Sequence, residues 1–349
     1  MRIGVIAPVA WRTPPRAYGP WEQVASNVTE GLVAAGHDVT LFATADSLTA
    51  GTLVATTPAG YEADRTLDAK VCEYTHLATV FERAGDFDLL HSHFDFMPLA
   101  YSRLVDTPIV TTIHGFSSER IVPLYARYDD RVHYVSISDA DRHPDLTYAA
   151  TVYNGIDTAD FGFAGPDLRF GVSPNGPRAQ HGPYLLYFGR IHPDKGPHDA
   201  IEIARRTGRK LLMAGLIQDA PYWDERVAPH VDGERVVYLG NVGPAERKIV
   251  LAEADLLLHP IYFDEPFGLS VAESMISGTP VLAYRRGSMP ELVVDGVSGT
   301  LVDGLEEAIG AVAKTQDVDR GGCRDYAVGK FGREAMVAGY ERVYREVVA

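Results

Sequence analysis

Two short segments of the chain combine charged side chains with glycine and proline in patterns that could bind a diphosphate. The first, residues 189–196 with the sequence GRIHPDKG, follows an apolar run that predicts a strand. Arg190 would end that strand and Lys195 would begin the next helix, which places two cations where a diphosphate needs its charge neutralised. The segment is neither a Walker loop nor a GxGxxG fingerprint. Taken alone, it fits a diphosphate clamp or a surface loop with solvated cations.

The second segment, residues 264–273 with the sequence DEPFGLSVAE, predicts the start of a helix. Pro266 favours the first turn of a helix, so Glu265 would lie at the N-terminal end of this helix and Glu273 about two turns further along it. At 100° per residue the two carboxylates would return to within roughly 80° of each other, on one side of the helix. The free N–H groups of Phe267 to Val271 would then form an anion site. The alternative is a solvated helix start on which the dipole favours glutamate.

Short β-branched and leucine-rich runs alternate with helical patterns along the whole chain, which favours parallel sheets covered by helices on both faces. A helix is predicted to begin at Pro20, because the apolar residues between Trp21 and Ala35 fall on one helical stripe: Trp21, Val24, Ala25, Val28 and Leu32. A second, amphipathic helix is predicted at Phe331–Val348. The predicted strands are Ile3–Ala7, Val39–Ala43, Leu89–Ser92, Ile109–Ile113, Tyr134–Ile137, Tyr184–Phe188, Leu211–Ala214, Val236–Leu239, Leu256–His259 and Val281–Ala283.

Residues 161–183 interrupt this alternation of strand and helix patterns. They contain five Gly and four Pro, which predicts an interdomain linker. The expected architecture is α/β, with two Rossmann-like domains facing across a cleft. The first would span residues 1–170 together with a final helix at 331–349, and the second residues 183–330. Ligands in such sheets bind beyond the carboxyl ends of the strands.

Composition limits the classes of function. The chain has 349 residues, is 46% hydrophobic and carries a formal net charge of −15, so nonspecific binding of nucleic acid or anionic lipid is not expected. Two distant cysteines exclude a disulfide framework and a cysteine-type zinc site, and fit a reducing cytoplasm. No export signal or transmembrane helix is predicted. The mixed charges of residues 119–131 favour a soluble acceptor over a lipid surface.

In this order, and about seventy residues apart, the two segments resemble the retaining glycosyltransferases of the family 4 type, which have the GT-B fold. The resemblance extends over nearly the whole chain, and the last helix crosses back to the first domain in that family. It includes the motifs GHDV (36–39), DLLHSH (88–93), TIHG (112–115), NGID (154–157), PVLA (280–283), PELV (290–293) and DGVSGTLV (295–302).

The resemblance implies roles for particular residues. Arg190 and Lys195 match the pair that grips the donor diphosphate. Glu265 matches the residue that orients the transferred sugar, Glu273 the one that holds the ribose, and His114 a histidine beside the sugar and the acceptor. The remaining implied donor contacts are Gly19, Gly189, Phe267, Gly268, Leu269, Ser270 and Val271, with Gly240, Asn241 and Val242 near the base.

One departure from the family pattern is visible. The family usually has Gly-Gly before the first long helix, whereas this chain reads YGP at residues 18–20, so only Gly19 matches. Pro20 has no N–H to offer a phosphate.

Metal chemistry has two weaker candidates. His91 and His93 would point to one face of a strand and could be structural, substrate-adjacent or a metal pair. The sequence DAD at residues 139–141 imitates a D-x-D metal motif. Because Arg190 and Lys195 can take the place of a divalent ion, no metal or other cofactor is expected.

The expected function is transfer of a hexose-type sugar from a UDP- or GDP-sugar to a hydroxyl of a small-molecule or glycan acceptor, with retention at the anomeric carbon. Two alternatives use the same fold: a nucleotide-sugar epimerase, which would convert the donor without an acceptor, and a non-catalytic nucleotide-sugar-binding protein.

Overall fold

The chain forms two separate structural units in a computed structural model that describes residues 1–17, 19–116, 118–165, 168 and 173–349. The first unit comprises Met1–Ile156 and Arg333–Ala349, and the second comprises Asp157–Gly332. Part of the predicted linker, residues 166–167 and 169–172, lies outside the described residues, as does Tyr18 of the YGP site.

The first unit is built on a seven-stranded sheet in which every described strand pair is parallel. The strand order is β3-β2-β1-β4-β5-β6-β7, so the chain starts in the middle and winds outward in both directions. The strands are β1 (Arg2–Ile6), β2 (Asp38–Thr44), β3 (Thr52–Thr57), β4 (Leu89–Ser92), β5 (Ile109–Ile113), β6 (Val132–Ser136) and β7 (Tyr148–Thr151).

The second unit repeats this plan with a six-stranded parallel sheet in the order β10-β9-β8-β11-β12-β13. Its strands are β8 (Leu185–Phe188), β9 (Leu211–Ala214), β10 (Val236–Tyr238), β11 (Leu256–His259), β12 (Val281–Tyr284) and β13 (Gly299–Val302). All ten predicted strands are therefore confirmed, and the prediction of two α/β units with parallel sheets is correct.

Helices connect most of the consecutive strands, as is usual for parallel pairing, whereas β2 is joined to β3 and β6 to β7 by segments without a helix. In the first unit the helices are α1 (Pro20–Ala34), α2 (Ala69–Glu82), α3 (Val122–Arg127) and, at the end of the chain, α12 (Arg333–Val348). In the second they are α4 (Pro177–His181), α5 (Pro197–Thr207), α6 (Ala220–Tyr222), α7 (Pro244–Glu253), α8 (Leu269–Ile276), α9 (Met289–Leu292), α10 (Leu305–Gln316) and α11 (Arg320–Phe331). Across the described part of the chain, none of these helices combines the length and the apolar character that crossing a membrane would require.

Helix α1 begins with Pro20 at its first position, as predicted, because a proline there gives up no intrahelical hydrogen bond. Its predicted apolar stripe is buried, with Val24, Val28 and Leu32 at most 1% exposed. The helix packs against β1 and β2. Because α1 follows β1 in the chain, its N-terminus lies at the edge of the sheet where β1 ends.

The prediction of one terminal helix from Phe331 is wrong at its start. Phe331 ends α11 in the second unit, Gly332 is extended, and a new helix starts at Arg333 in the first unit. The helix is interrupted because the residues before and after Gly332 are held by contacts in different units. Phe331 packs on Phe267 with ring centroids 5.8 Å apart, whereas the N–H of Arg333 donates to the carbonyl of Ile156 at 2.9 Å.

Within the first unit, α12 packs closely on α1 and on the sheet. A Cβ at Gly31 of α1 would lie 2.4 Å from Cγ2 of Val337, so only glycine allows this helix contact. Two tyrosines of α12, Tyr340 and Tyr344, are fully buried. The hydroxyl of Tyr344 is hydrogen-bonded to Nδ1 of His91 at 2.6 Å, which ties the last helix to β4.

Candidate active site

The segment of residues 189–196 emerges from β8 at the carboxyl edge of the second sheet. Pro193–Lys195 forms a short 3₁₀ turn, and α5 begins only after Gly196, so Lys195 precedes the helix instead of starting it as predicted. Gly196 causes the separation, because its φ of +65° is left-handed and a Cβ there would lie 1.9 Å from the carbonyl oxygen of Pro260. Lys195 is thereby held on a tight turn against the loop that follows β11.

Lys195 and Glu265 form an ion pair in which Nζ and Oε2 are 2.5 Å apart, and each side chain is only 14% exposed. The ammonium of Lys195 also lies 4.3 Å from the ring centre of Phe263. His259, the last residue of β11, points Nε2 at the same Oε2 atom of Glu265 from 3.8 Å. Burial and the nearby Lys195 lower the pKa of His259 to about 3, so its imidazole is neutral.

Arg190 lies beside this pair on the same loop. Its guanidinium donates to Oε1 of Gln218, and a second nitrogen lies 3.9 Å from a carboxylate oxygen of Asp194. The side chain is 27% exposed, so it can meet a ligand while its amide partner orients it. Arg190 and Lys195 thus provide two cations on the loop that follows one strand.

The predicted helix start at Pro266 is wrong: α8 begins at Leu269, with Gly268 as its N-cap at a φ of +89°. The residues before it are held in a loop by contacts from the end of β12. The N–H of Ser288 donates to the carbonyl of Glu265 at 2.9 Å, and its hydroxyl donates to the carbonyl of Phe267 at 2.8 Å. Glu265 and Glu273 consequently do not share a helix face, because only Glu273 is helical.

The prediction of five free amides at this helix start is wrong for Val271. Its N–H donates to the carbonyl of Gly268 at 3.0 Å, as does the N–H of Ala272 at 3.2 Å. Leu269 and Ser270 are the first two helical residues, whose N–H groups have no acceptor within the helix. The positive end of α8 is therefore formed by these two amides, at the carboxyl edge of the sheet.

Glu273 lies one turn inside α8, where its side chain is 5% exposed and 3.4 Å from the guanidinium of Arg247. Burial raises the pKa of this carboxyl, and Arg247 opposes the rise. Asn241 and Val242 follow β10 on a loop at the same edge of the sheet, with Asn241 exposed. Gly189 follows β8 directly, and its N–H donates to the carbonyl of Ala214 at 3.0 Å.

In the first unit, His114 follows β5 and Gly19 caps α1. The imidazole of His114 stacks on the indole of Trp21, with ring centroids 5.8 Å apart. Gly19 has a φ of +152°, and a Cβ there would lie 2.8 Å from Pro15 and 3.0 Å from Glu22. Trp21 and Glu22 both belong to the first turn of α1, so these residues gather where β1 and β5 end.

His91 and His93 lie on one side of the sheet, as predicted, with ring centroids 4.3 Å apart. Nε2 of His91 is 2.8 Å from the hydroxyl of Thr112, and Nδ1 of His93 is 2.9 Å from Nε2 of His114. Among the residues the structure describes, no group of three or more His, Cys, Asp or Glu side chains is arranged to hold a metal ion.

Three side chains around the Lys195–Glu265 pair were not predicted from the sequence: His259, Gln218 and Phe263. His259 carried a usable signal, because a polar residue at the end of an apolar strand in a parallel sheet lies at the ligand-binding edge. Gln218 and Phe263 lie on loops without a periodic pattern, and only their contacts in the structure reveal them.

The chain has the GT-B fold. AviGT4, a glycosyltransferase involved in avilamycin A biosynthesis, superposes with a TM-score of 0.73 at 23% identity, over 99% of this chain and 98% of that one. The Anabaena protein HepE in complex with UDP and glucose superposes with a TM-score of 0.72 at 19% identity, over 99% and 100%.

The sequence identifies the family. Residues 21–160 match Glycosyltransferase Family 4, and residues 173–315 match Glycosyl transferases group 1. A glycogen synthase of Mycobacterium tuberculosis is 26% identical over 87% of this chain and 84% of its own length. A D-inositol 3-phosphate glycosyltransferase of an Arthrobacter species is 29% identical over 64% and 60%. The chain belongs to the family 4 glycosyltransferases and is a glycosyltransferase.

Proposed function

We propose that the protein transfers a hexose from a UDP- or GDP-sugar to a hydroxyl of a soluble acceptor, with retention at the anomeric carbon. The observation that carries this proposal is the ion pair of Lys195 and Glu265 beside the N-terminus of α8. A cation, a carboxylate and two open amides come together at the carboxyl edge of one sheet. Similar folds crystallised with UDP and with UDP-glucose support the choice of donor.

In this proposal the donor replaces the internal ion pair with contacts of the same kind. The diphosphate oxygens accept hydrogen bonds from the ammonium of Lys195, the guanidinium of Arg190 and the amides of Leu269 and Ser270. Glu265 accepts from hydroxyls of the sugar. Each charged group exchanges one partner for another, so neither is left buried and unpaired.

Catalysis then depends on stabilising the leaving group. The bond between the anomeric carbon and the phosphate oxygen breaks, and its electron pair passes to the diphosphate. The acceptor oxygen bonds to the same face of the anomeric carbon, and its proton passes to a diphosphate oxygen. Preorganised cations and amides stabilise the charge that develops on the diphosphate. His114 contacts the sugar and the acceptor.

The test is a panel of UDP-, GDP-, ADP- and dTDP-sugars in the presence of EDTA, with released nucleotide measured with and without acceptor extracts. We expect slow release from a UDP- or GDP-sugar that an extract accelerates. Interconversion of a donor without release would support an epimerase, and binding without release would support a non-catalytic binder; either result would overturn the proposal.

A further inference from the structure

Two buried histidines are joined directly at the ends of neighbouring strands in the first unit. His93 follows β4 and His114 follows β5, and these strands are adjacent and parallel. Nδ1 of His93 lies 2.9 Å from Nε2 of His114. His93 is completely buried, and its backbone N–H donates to the carbonyl of Ile6 at 2.9 Å. The position of the His93 ring is therefore set by the sheet.

The ring of His114 has two neighbouring rings. It stacks on Trp21, and the ring of His93, which meets it through the 2.9 Å contact of the two nitrogens, lies with a centroid separation of 5.2 Å at an interplanar angle of 29°. Within the described part of the chain, Nδ1 of His114 makes no hydrogen bond, and it is not among the fully buried atoms. This atom is therefore the one polar position on the ring that a ligand can reach.

Both imidazoles are neutral, and so each carries one proton. Burial lowers the pKa of His114 to about 3, and burial together with the neighbouring histidines holds the pKa of His93 well below its usual range. The single proton in the 2.9 Å contact belongs either to Nδ1 of His93 or to Nε2 of His114. The position of this proton decides whether the accessible Nδ1 of His114 is protonated.

The surroundings of His93 distinguish these two cases. Nε2 of His93 is buried and has no hydrogen-bond partner among the described residues. If Nε2 of His114 held the shared proton, the proton of His93 would be on this isolated nitrogen, as a buried N–H without an acceptor. Such orphaned donors are rarer in proteins than unsatisfied acceptors. The case with a bare Nε2 on His93 is therefore favoured.

We propose that His93 is a positioning residue, which donates from Nδ1 to Nε2 of His114 and so keeps the proton of His114 on Nδ1. This inference rests on the proposed function, in which His114 contacts the sugar and the acceptor. His114 then offers the substrate an N–H donor from a neutral ring. It cannot act as the base, because Nδ1 carries a proton and Nε2 is occupied by His93. The proton of the acceptor hydroxyl must pass elsewhere, to the leaving diphosphate.

The tautomer can be read without any substrate. Protein with ¹⁵N-labelled histidine is examined by long-range ¹H–¹⁵N NMR, with signals assigned from single-histidine variants. We expect a protonated Nδ1 and a bare Nε2 on both His93 and His114. A proton on Nε2 of His114 would overturn the proposal.

Two substitutions at His93 then separate hydrogen bonding from packing. His93→Asn places an amide N–H where Nδ1 was, whereas His93→Phe keeps a ring but cannot donate. We expect His93→Asn to preserve the Nδ1–H form of His114 and to retain roughly tenfold more kcat than His93→Phe, the factor expected for one hydrogen bond. Equal losses in the two variants, or an unchanged tautomer in His93→Phe, would contradict the proposal.

His91→Gln is the matched control. His91 is as buried as His93 and touches its ring, but it bonds to Thr112 and Tyr344 and not to His114. We expect this variant to lose stability while the tautomer of His114 and kcat are unchanged. Failure of the two proposals is distinguishable, because the NMR result does not need turnover. If transfer is real and His93 is only structural, His114→Ala impairs transfer while His93→Asn and His93→Phe behave alike.

Discussion

The proposed catalytic cation and carboxylate of this glycosyltransferase neutralise each other in the structure. Lys195 and Glu265 are separated by seventy positions in the chain, yet Nζ and Oε2 are 2.5 Å apart in a poorly exposed environment. Removing one partner leaves the other charge uncompensated, which destabilises more than removing both. Substitutions here must therefore separate loss of function from loss of stability.

Lys195→Ala is expected to reduce transfer by roughly 100-fold or more, because a preorganised charge on the leaving group is lost. The measurement is nucleotide release at saturating donor and acceptor. Lys248→Ala is the control, since Lys248 lies in the same unit and pairs with Asp160 at 2.6 Å on the surface. The double variant K195M/E265Q removes both charges, and should fold normally yet remain inactive. Wild-type turnover in Lys195→Ala would contradict the assignment.

Glu22 is a buried acid of the first unit. Its Oε1 accepts from the N–H of Trp11 at 3.1 Å, in the first turn of α1. The helix dipole favours a charged carboxylate at that place, but burial dominates and raises the pKa of Glu22 from 4.5 to about 7. A rise of this size corresponds to about 3 kcal/mol between the two protonation states.

The pH dependence of stability follows with a definite sign. Glu22 adds little penalty below about pH 4.5, where it is protonated in both folded and unfolded chains; the penalty grows as pH rises from about 4.5 to about 7 and is constant above that. Glu22→Gln should therefore be more stable than the wild type at pH 8, by up to about 3 kcal/mol, and similar at pH 4.5. Denaturant unfolding at both pH values measures this. Glu30→Gln on the same helix is the control, and an equal change in both variants would refute the explanation.

At the scale of elements, the loop that carries Glu265 is shaped by the loop that follows β12. Gly287 has a φ of +50°, and a Cβ there would lie 2.3 Å from the amide nitrogen and 2.5 Å from the carbonyl oxygen of Glu265. Backbone atoms cannot move aside as a flexible side chain can. The position of Glu265 therefore depends on the absence of a side chain twenty-two residues later.

Gly287→Ala should displace Glu265 and weaken donor binding at least tenfold, in addition to destabilising the fold. Gly296→Ala separates the two effects: Gly296 also has a left-handed φ of +76°, but a Cβ there meets nothing within 4 Å. It should lose only the roughly 1 kcal/mol of a strained backbone. Calorimetric titration with the donor measures affinity, and equal affinity in the two variants would show that the Gly287 contact is unimportant.

Strands were predicted most accurately from the sequence where they are most deeply buried. Central strands such as β4 and β11 are fully buried, begin with leucines and match their predicted bounds to the residue. The three strands that were not predicted, β3, β7 and β13, all lie at sheet edges, where partial exposure or glycine weakens the apolar pattern. The start of α8 was mispredicted because contacts from Ser288 outweigh the local preference of Pro266 for a helix.

At the scale of the whole molecule, one unit is continuous and the other is made from both ends of the chain. The first unit is completed by α12, whose Tyr344 is hydrogen-bonded to His91 in a fully buried setting. From His91 the hydrogen bonds continue through Thr112 to the hydroxyl of Tyr340, with both contacts at 2.8 Å. The last sixteen helical residues are thus part of the core of the unit that begins the chain.

Tyr344→Phe should destabilise the first unit by about 1–2 kcal/mol, because Nδ1 of His91 loses its hydrogen-bond partner in the core. Tryptophan fluorescence can localise the effect, since Trp11 and Trp21 belong to the first unit and Trp223 to the second. In a Trp223→Phe background, fluorescence reports only on Trp11 and Trp21, and Tyr344→Phe should shift the unfolding transition that they record. When Trp223 is instead the only tryptophan, the transition should not shift. Tyr74→Phe, at an exposed tyrosine of α2, is the control. A shift confined to Trp223 would contradict this account.

The most direct test of the proposed activity uses a UDP- or GDP-sugar with ¹³C at the anomeric carbon, incubated with acceptor and followed by NMR. We expect the label to leave the nucleotide and appear on the acceptor with the same anomeric configuration, and we expect Lys195→Ala to slow this transfer by roughly 100-fold or more. A label that stays on the nucleotide, either unchanged or in an epimerised sugar, would contradict the proposed transfer, and an inverted product would contradict retention.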